Sequence, residues 1–269
     1  MQSQEARLEL RGSKLGILEC GSGRPIVFLH PGDGLDARAP FLDRLAAHGR
    51  IIAPSHPGFG TSDLPAEFDS VGDLAYFYLD LFDQLKLRDA VLVGASFGGW
   101  IAAEIAIRSC ANISQLILID SVGARFSTNP AEVEIADVFS LTRTEVEQRA
   151  WVDPAKWRRD PATLSDEELL VLARDRESYC LFGWSPYMYN PMLRRWLHRI
   201  SVPTLVLWGE QDRIVAPEYG RRFASAIQQA VFRTVSNAAH FPHIEQPQAV
   251  ADAIGAFMKS GPGDTKGSR

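Results

Sequence analysis

Short, mostly apolar runs punctuate this chain, and nearly all of them stop at a Gly, Pro, His or Asp. Ile26–Leu29 ends at His30, Arg50–Ala53 at Pro54, Ala90–Val93 at Gly94, Gln115–Ile119 at Asp120 and Thr204–Trp208 at Gly209, with Val231–Val235 last. Runs that are apolar at consecutive rather than alternate positions predict strands covered on both faces, hence a mostly parallel sheet. Amphipathic stretches lie between them. Val71–Leu85 carries Leu74, Tyr78, Leu81 and Leu85 at helical spacing, and Trp100–Arg108 is rich in Ala and Ile. Pro217–Ile227 opens on a proline that a first helical turn accepts, and Gln246–Met258 closes the series. Strand and helix in alternation predict a doubly wound α/β domain.

The alternation breaks between Val122 and Ile200. No strand pattern appears there, while Glu132–Phe139, Arg143–Val152 and Ser165–Phe182 read as helices, the last with the Ser165/Glu168 spacing of a capping box. We expect a helical cap over residues 122–200, inserted into a core made of 1–121 and 201–259. A tail over 260–269, rich in Gly and polar residues, has the composition of a flexible terminus.

Composition sets bounds on function. At 269 residues, 46% hydrophobic and 23% charged, the chain can bury a large core without a metal or disulfide staple. A net charge of −5 argues against a nucleic-acid partner, which would demand concentrated Lys and Arg. No stretch approaches the roughly 18 uninterrupted apolar residues of a membrane span, and Met1–Arg11 lacks the apolar centre of a secretory signal. Cys20, Cys110 and Cys180 are scattered and odd in number, which fits reduced thiols. The expectation is a cytoplasmic protein with a small-molecule substrate and no membrane partner; an exposed cap would support a homodimer.

The chemistry concentrates at Gly94-Ala95-Ser96-Phe97-Gly98-Gly99, directly after one strand and opening a helix. A serine on so sharp a turn needs glycines beside it, and gains an exposed Oγ at the positive end of a helix. An ordinary glycine-rich turn is the competing reading. Serine needs a base, and of six histidines His240 stands on the loop after the last strand, ahead of Glu245-Gln246-Pro247. His30 and His56 end strands near the same mouth, His243 follows closely, and His48 and His198 lie on helical stretches. Asp212, after the Thr204–Trp208 strand, is the candidate acid, with Asp120 a second candidate and Glu210 a nearby decoy. The order Ser96, Asp212, His240 is that of a serine–acid–histidine triad on an α/β sheet. The N–H groups of Phe97 and of Gly32, on the loop after Ile26–Leu29, are the candidate oxyanion donors. Candidate substrate-binding side chains are His30, Trp184, Tyr187, Tyr189 and Phe241, although the aromatic cluster of 182–191 would equally serve to pack the cap onto the core. Arg194 and Arg195 would suit a substrate carboxylate or a solvated helix face. No His/Asp/Glu cluster has metal-ligand spacing and no phosphate loop follows a strand, so neither metal nor cofactor is expected.

With these residues assembled, the chain from about Leu8 to Met258 resembles the α/β-hydrolase superfamily. The resemblance rests on Leu29-His30-Pro31-Gly32, Pro57-Gly58-Phe59-Gly60-Thr61-Ser62, the Ser96 elbow, Gly209-Glu210-Gln211-Asp212 and His240-Phe241-Pro242-His243. It implies an eight-stranded, mostly parallel sheet, a helical cap after the sixth strand and a serine triad. Relatives that use aspartate at the elbow, the haloalkane dehalogenases and epoxide hydrolases, do not match Ser96. Small carboxylesterases and the carbon–carbon bond hydrolases of aromatic ring-fission products do. The latter often carry tryptophan where this chain has Phe241, and His-Gly where it has His30-Pro31, which leans the expectation towards an esterase. A ligand-binding or sensory protein on the same scaffold is the rival from another class.

Overall fold

The structure, a computed structural model, describes residues 4–36, 40–129, 131–158 and 160–260. Eight strands form one sheet in the order β1-β2-β4-β3-β5-β6-β7-β8. They are β1 (Gln4–Leu10), β2 (Ser13–Cys20), β3 (Pro25–Leu29), β4 (Arg50–Pro54), β5 (Ala90–Ala95), β6 (Ile113–Ile119), β7 (Thr204–Gly209) and β8 (Ala230–Val235). The β1–β2 and β2–β4 pairs are antiparallel, and every other neighbouring pair is parallel.

Side chains of the central strands divide between two cores. Val27 and Leu29, Leu92, Leu116 and Leu118, and Val206 and Trp208 face one; Ile26 and Phe28, Val91 and Val93, Ile117 and Ile119, and Leu205 and Leu207 face the other. Both faces are covered, which is why these strands read as continuous apolar runs. On the second face pack α1 (Pro40–Leu45) and the C-terminal helix; on the first pack α2 (Val71–Gln84) and α3 (Phe97–Arg108).

The run pattern does not announce β1 and β2. The first alternates charged and apolar residues at the sheet edge, joined to the second by Arg11-Gly12, both with positive φ as a two-residue hairpin requires. Only the family resemblance led to eight strands.

Between β6 and β7 lie α4 (Arg143–Ala150), α5 (Pro154–Trp157), α6 (Asp166–Gly183) and α7 (Leu193–Trp196), with no strand among the described residues of this insertion. The Ser165/Glu168 capping box is present at the start of α6. The helix expected over Glu132–Phe139 does not form. Asp137 instead accepts the N–H groups of Phe139 and Ser140 on its side chain, Ile135 bridges to Val215, and Ala136 N–H donates to Ile214. Local side-chain bonding of this kind competes with helical pairing. After β7 come α8 (Pro217–Ser225), α9 (Pro242–Glu245) and α10 (Pro247–Lys259). Of the expected tail only Ser260 falls inside the described residues. Among those residues no helix is long and apolar enough to cross a membrane.

Candidate active site

Ser96 occupies the turn between β5 and α3 with φ 50° and ψ −112°, a backbone state that costs energy for a non-glycine residue. The glycines around it are sterically required. A Cβ on Gly94 would lie 2.3 Å from the Gly98 carbonyl oxygen, and one on Gly98 would lie 2.1 Å from that of Leu29. The strained turn lifts Ser96 Oγ towards the loop after β8.

His240 stands on that loop. Its Nε2 lies 2.8 Å from Ser96 Oγ, and its Nδ1 lies 2.8 Å from Asp212 Oδ2, with all three residues buried. A carboxylate can only accept, so Nδ1 carries the proton and the Nε2 lone pair receives the Ser96 hydroxyl. Asp212 is itself held, because its Oδ1 accepts the N–H groups of Ile214 and Val215 at 2.8 and 3.1 Å. His240 N–H donates to the Ala150 carbonyl on the insertion. Glu245 clasps the same seam, accepting Ala239 N–H on one oxygen and Val152 N–H on the other. Burial pushes the Glu245 carboxyl up.

The acid contacting the imidazole is thus Asp212. Glu210 faces solvent, and Asp120 touches the Gly209 N–H rather than His240. Asp120, Asp212 and His240 offer ligand atoms within 4.8 Å of one another, a grouping that spacing along the sequence does not show. Two of these donors, Asp212 and His240, are already bonded to each other at 2.8 Å, so that pair is committed to a hydrogen bond rather than held open as a metal cradle.

Gly32 and Ser96 line one cavity with His240. Among the described residues no protein group accepts from the N–H of Gly32 or of Phe97, the first residue of α3. The Phe97 ring turns away into a cluster with Phe59, Trp100, Tyr179 and Phe182, so only its backbone is available to the site. The cavity wall is mostly apolar, with Val122, Ile135, Val138, Met188, Ile214 and Phe241 among its residues, and its free volume is small, about 40 Å³. Asp33, Arg176, Tyr179 and Tyr187 add polar groups to the wall. Arg176 donates to the Val138 carbonyl and lies over the Phe139 ring.

Of the expected substrate-binding side chains, Phe241 and Tyr187 line the cavity, while His30, Trp184 and Tyr189 do not. Trp184 is 62% exposed on the far side of Phe139, and Tyr189 stacks under Arg125. His30 is fully buried beneath the Gly32 loop. Its Nδ1 donates to the Pro31 carbonyl at 2.7 Å and its Nε2 accepts His56 N–H at 2.9 Å. His56 in turn sends Nε2–H to the His30 carbonyl and takes the Tyr78 hydroxyl on Nδ1. With every ring nitrogen committed to one role, both imidazoles are neutral; burial pushes His30 down to about 4 and His56 well below its usual range. His30 therefore shapes the Gly32 loop instead of touching substrate. Arg194 and Arg195 are exposed and off the wall. Sequence reasoning missed Tyr179, Arg176 and the apolar wall, whose residues come from widely separated stretches of chain.

Comparison with known proteins bears on the same site. The sequence matches the alpha/beta hydrolase family over residues 26–253. It is similar to 2-hydroxymuconate semialdehyde hydrolase of Pseudomonas sp. strain CF600, 28% identical over 263 residues covering 92% of this chain and 91% of that one. It is also similar to 2-hydroxy-6-oxo-2,4-heptadienoate hydrolase of Pseudomonas putida, 26% identical over 264 residues covering 92% and 93%. Among solved structures, a serine hydrolase involved in carbazole degradation has the same fold, with a TM-score of 0.77 at 20% identity, covering 96% of this chain and 99% of that one. Since the family match runs from β3 into α10 and so takes in most of the chain, this protein belongs to the alpha/beta hydrolase family.

Proposed function

We propose that this chain is a serine hydrolase that cleaves a carbon–carbon bond beside a ketone in a small, largely apolar substrate, through an acyl-enzyme on Ser96. The observation that carries the serine-hydrolase reading is the unbroken relay from Ser96 through His240 to Asp212, 2.8 Å at each link. In this mechanism Ser96 Oγ attacks the carbonyl carbon while His240 Nε2 takes its proton. Asp212 fixes the tautomer and balances the imidazolium. The N–H groups of Gly32 and Phe97 receive the oxyanion. Collapse breaks the bond to the leaving carbon, which takes the proton back from His240, and water then hydrolyses the acyl group with His240 as base. A carbon leaving group must depart as a delocalised enolate, so the substrate class is a vinylogous diketone. The names of the two curated relatives support this class, and Arg176, the one permanent cation on the described cavity wall, suits the carboxylate that such a dienoate carries.

Hydrolysis of a small ester is the second reading. It is favoured by the cavity's small free volume and by Phe241, which packs on Trp151 at 4.7 Å and brings no N–H donor. The test is turnover of 2-hydroxy-6-oxo-2,4-heptadienoate and of p-nitrophenyl esters from acetate to octanoate, by wild type and Ser96→Ala side by side. Steady loss of the dienoate's absorbance, abolished in Ser96→Ala, is the expected result. Ester turnover alone would favour the second reading. Multiple turnover that survives Ser96→Ala would overturn the Ser96 acyl-enzyme.

A further inference from the structure

Asp120 directly follows β6, is fully buried, and holds a positive φ of 43°. Its Oδ1 accepts the Gly209 N–H at 2.9 Å. Its Oδ2 is shielded from solvent and has no hydrogen-bond partner. A buried carboxylate oxygen with no protein partner is expensive, and a second carboxylate, Asp212, stands in the same cluster, with ligand atoms within 4.8 Å. Two carboxylates that close in low dielectric do not both ionise. One proton between them removes both penalties, because an un-ionised Asp120 turns the orphaned oxygen into a donor.

The hydrogen-bond inventory decides which residue keeps that proton. Asp212 receives three N–H donors, from Ile214, Val215 and His240, whereas Asp120 receives one. Donated hydrogen bonds stabilise the anion, so the charge belongs on Asp212 and the proton on Asp120. We infer that Asp120 is an un-ionised carboxylic acid that donates Oδ2–H to Asp212 and so extends the relay by a fourth member. This deepens the serine-hydrolase reading and rests on it for its catalytic meaning. Burial, then the charge of Asp212, pushes the Asp120 carboxyl well above the usual carboxylate range; Glu245 adds to this, and the Gly209 N–H opposes it. With Asp120 neutral, His240 faces one negative charge in this cluster rather than two. Asp212 is then held by a donor besides the imidazole and the Ile214 and Val215 N–H groups. Asp120 is thus a positioning residue that acts through Asp212.

The test combines spectroscopy with rescue. In full-length protein carrying aspartate labelled with ¹³C at the side-chain carboxyl, one resonance should keep the chemical shift of an un-ionised acid from pH 5 to 8 and vanish in Asp120→Asn. This measurement needs no substrate, so its outcome holds even if no turnover is found. For kinetics, the rate of Ser96 labelling by a fluorophosphonate is followed against pH. Asp120→Ala should slow it about 10-fold or more and move its acid limb. Asp120→Asn, whose amide can still donate to Asp212 and accept from Gly209, should recover most of that loss. An Asp120 resonance that is ionised at pH 7 would overturn the inference, as would an Asp120→Asn variant no better than Asp120→Ala.

Discussion

Replacing His243 with leucine isolates what one buried imidazole does to stability as the pH falls. The ring sits in α9 among Phe28, Phe41 and Phe241, with centroids 5.6 to 6.2 Å away, and its Nδ1 has no partner. Burial, helped by the neighbouring His240, pushes its pKa down to about 3 from the usual 6.5. A folded value below the unfolded one means that the contribution is complete above about pH 6.5 and is lost as pH falls towards 3. At pH 5 the unfolded chain binds this proton and the folded chain does not. One and a half pH units at about 1.36 kcal/mol each give a loss of about 2 kcal/mol. His243→Leu removes that loss while keeping an apolar side chain in an apolar site, so its effect at pH 7 should stay within about 1.5 kcal/mol. Urea unfolding of both proteins, followed by fluorescence of the six tryptophans, measures the difference at pH 7 and pH 5. Other titrating groups cancel to first order, because both proteins carry them. The leucine variant should gain about 2 kcal/mol relative to wild type between the two pH values. A relative change below about 0.5 kcal/mol would refute the claim that this imidazole is buried neutral.

Asp175, on α6, should act with the opposite sign. Burial raises it to about 6 despite the Gly60 N–H it accepts, so its stabilising effect is full below pH 4 and lost as pH climbs through 6. Asp175→Asn should therefore flatten the rise in Tm between pH 7 and pH 4.5. On the loop after β3, a Cβ on Gly32 would meet the Tyr179 ring at 2.4 Å, so the loop or the ring must shift to admit it. Gly32→Ala should lower kcat about 100-fold with a much smaller change in KM. A fall of that size in Gly32→Ala/Tyr179→Ala as well would show that the clash is not the cause. Finally, His240→Ala should abolish steady turnover because nothing then takes the Ser96 proton, and an unimpaired kcat in that variant would count against His240 as the base.

Much of the sheet was legible because its central strands are covered on both faces and so carry unbroken apolar runs. The edge hairpin β1–β2 was not, since an edge strand needs one wet face and its alternating charges resemble any surface segment. The Ser96 elbow was legible for a local reason: Gly94 and Gly98 are dictated by backbone atoms only a few residues or one strand away. The segment 132–139 misled because its apolar spacing suits a helix, while its partners, Ile214, Val215 and Tyr187, stand 50 to 80 residues downstream.

Sequence by itself determined the residue types and their order: a serine on a glycine-framed turn, a histidine after the last strand, two aspartates at neighbouring strand ends, and an insertion rich in aromatics. It could not choose between Asp120 and Asp212, because both follow strands that lie side by side in the sheet. Only the folded chain turned Asp212 onto the imidazole and left Asp120 with an unshared oxygen. It also moved His30 from the cavity wall to the support of the Gly32 loop, and drew Arg176 and Tyr179 in from α6. The reason is physical. Apolar runs and turn residues are written within a few neighbouring positions, whereas a hydrogen-bond partner or a cavity wall is set by how separate elements pack, and packing depends on the whole chain at once.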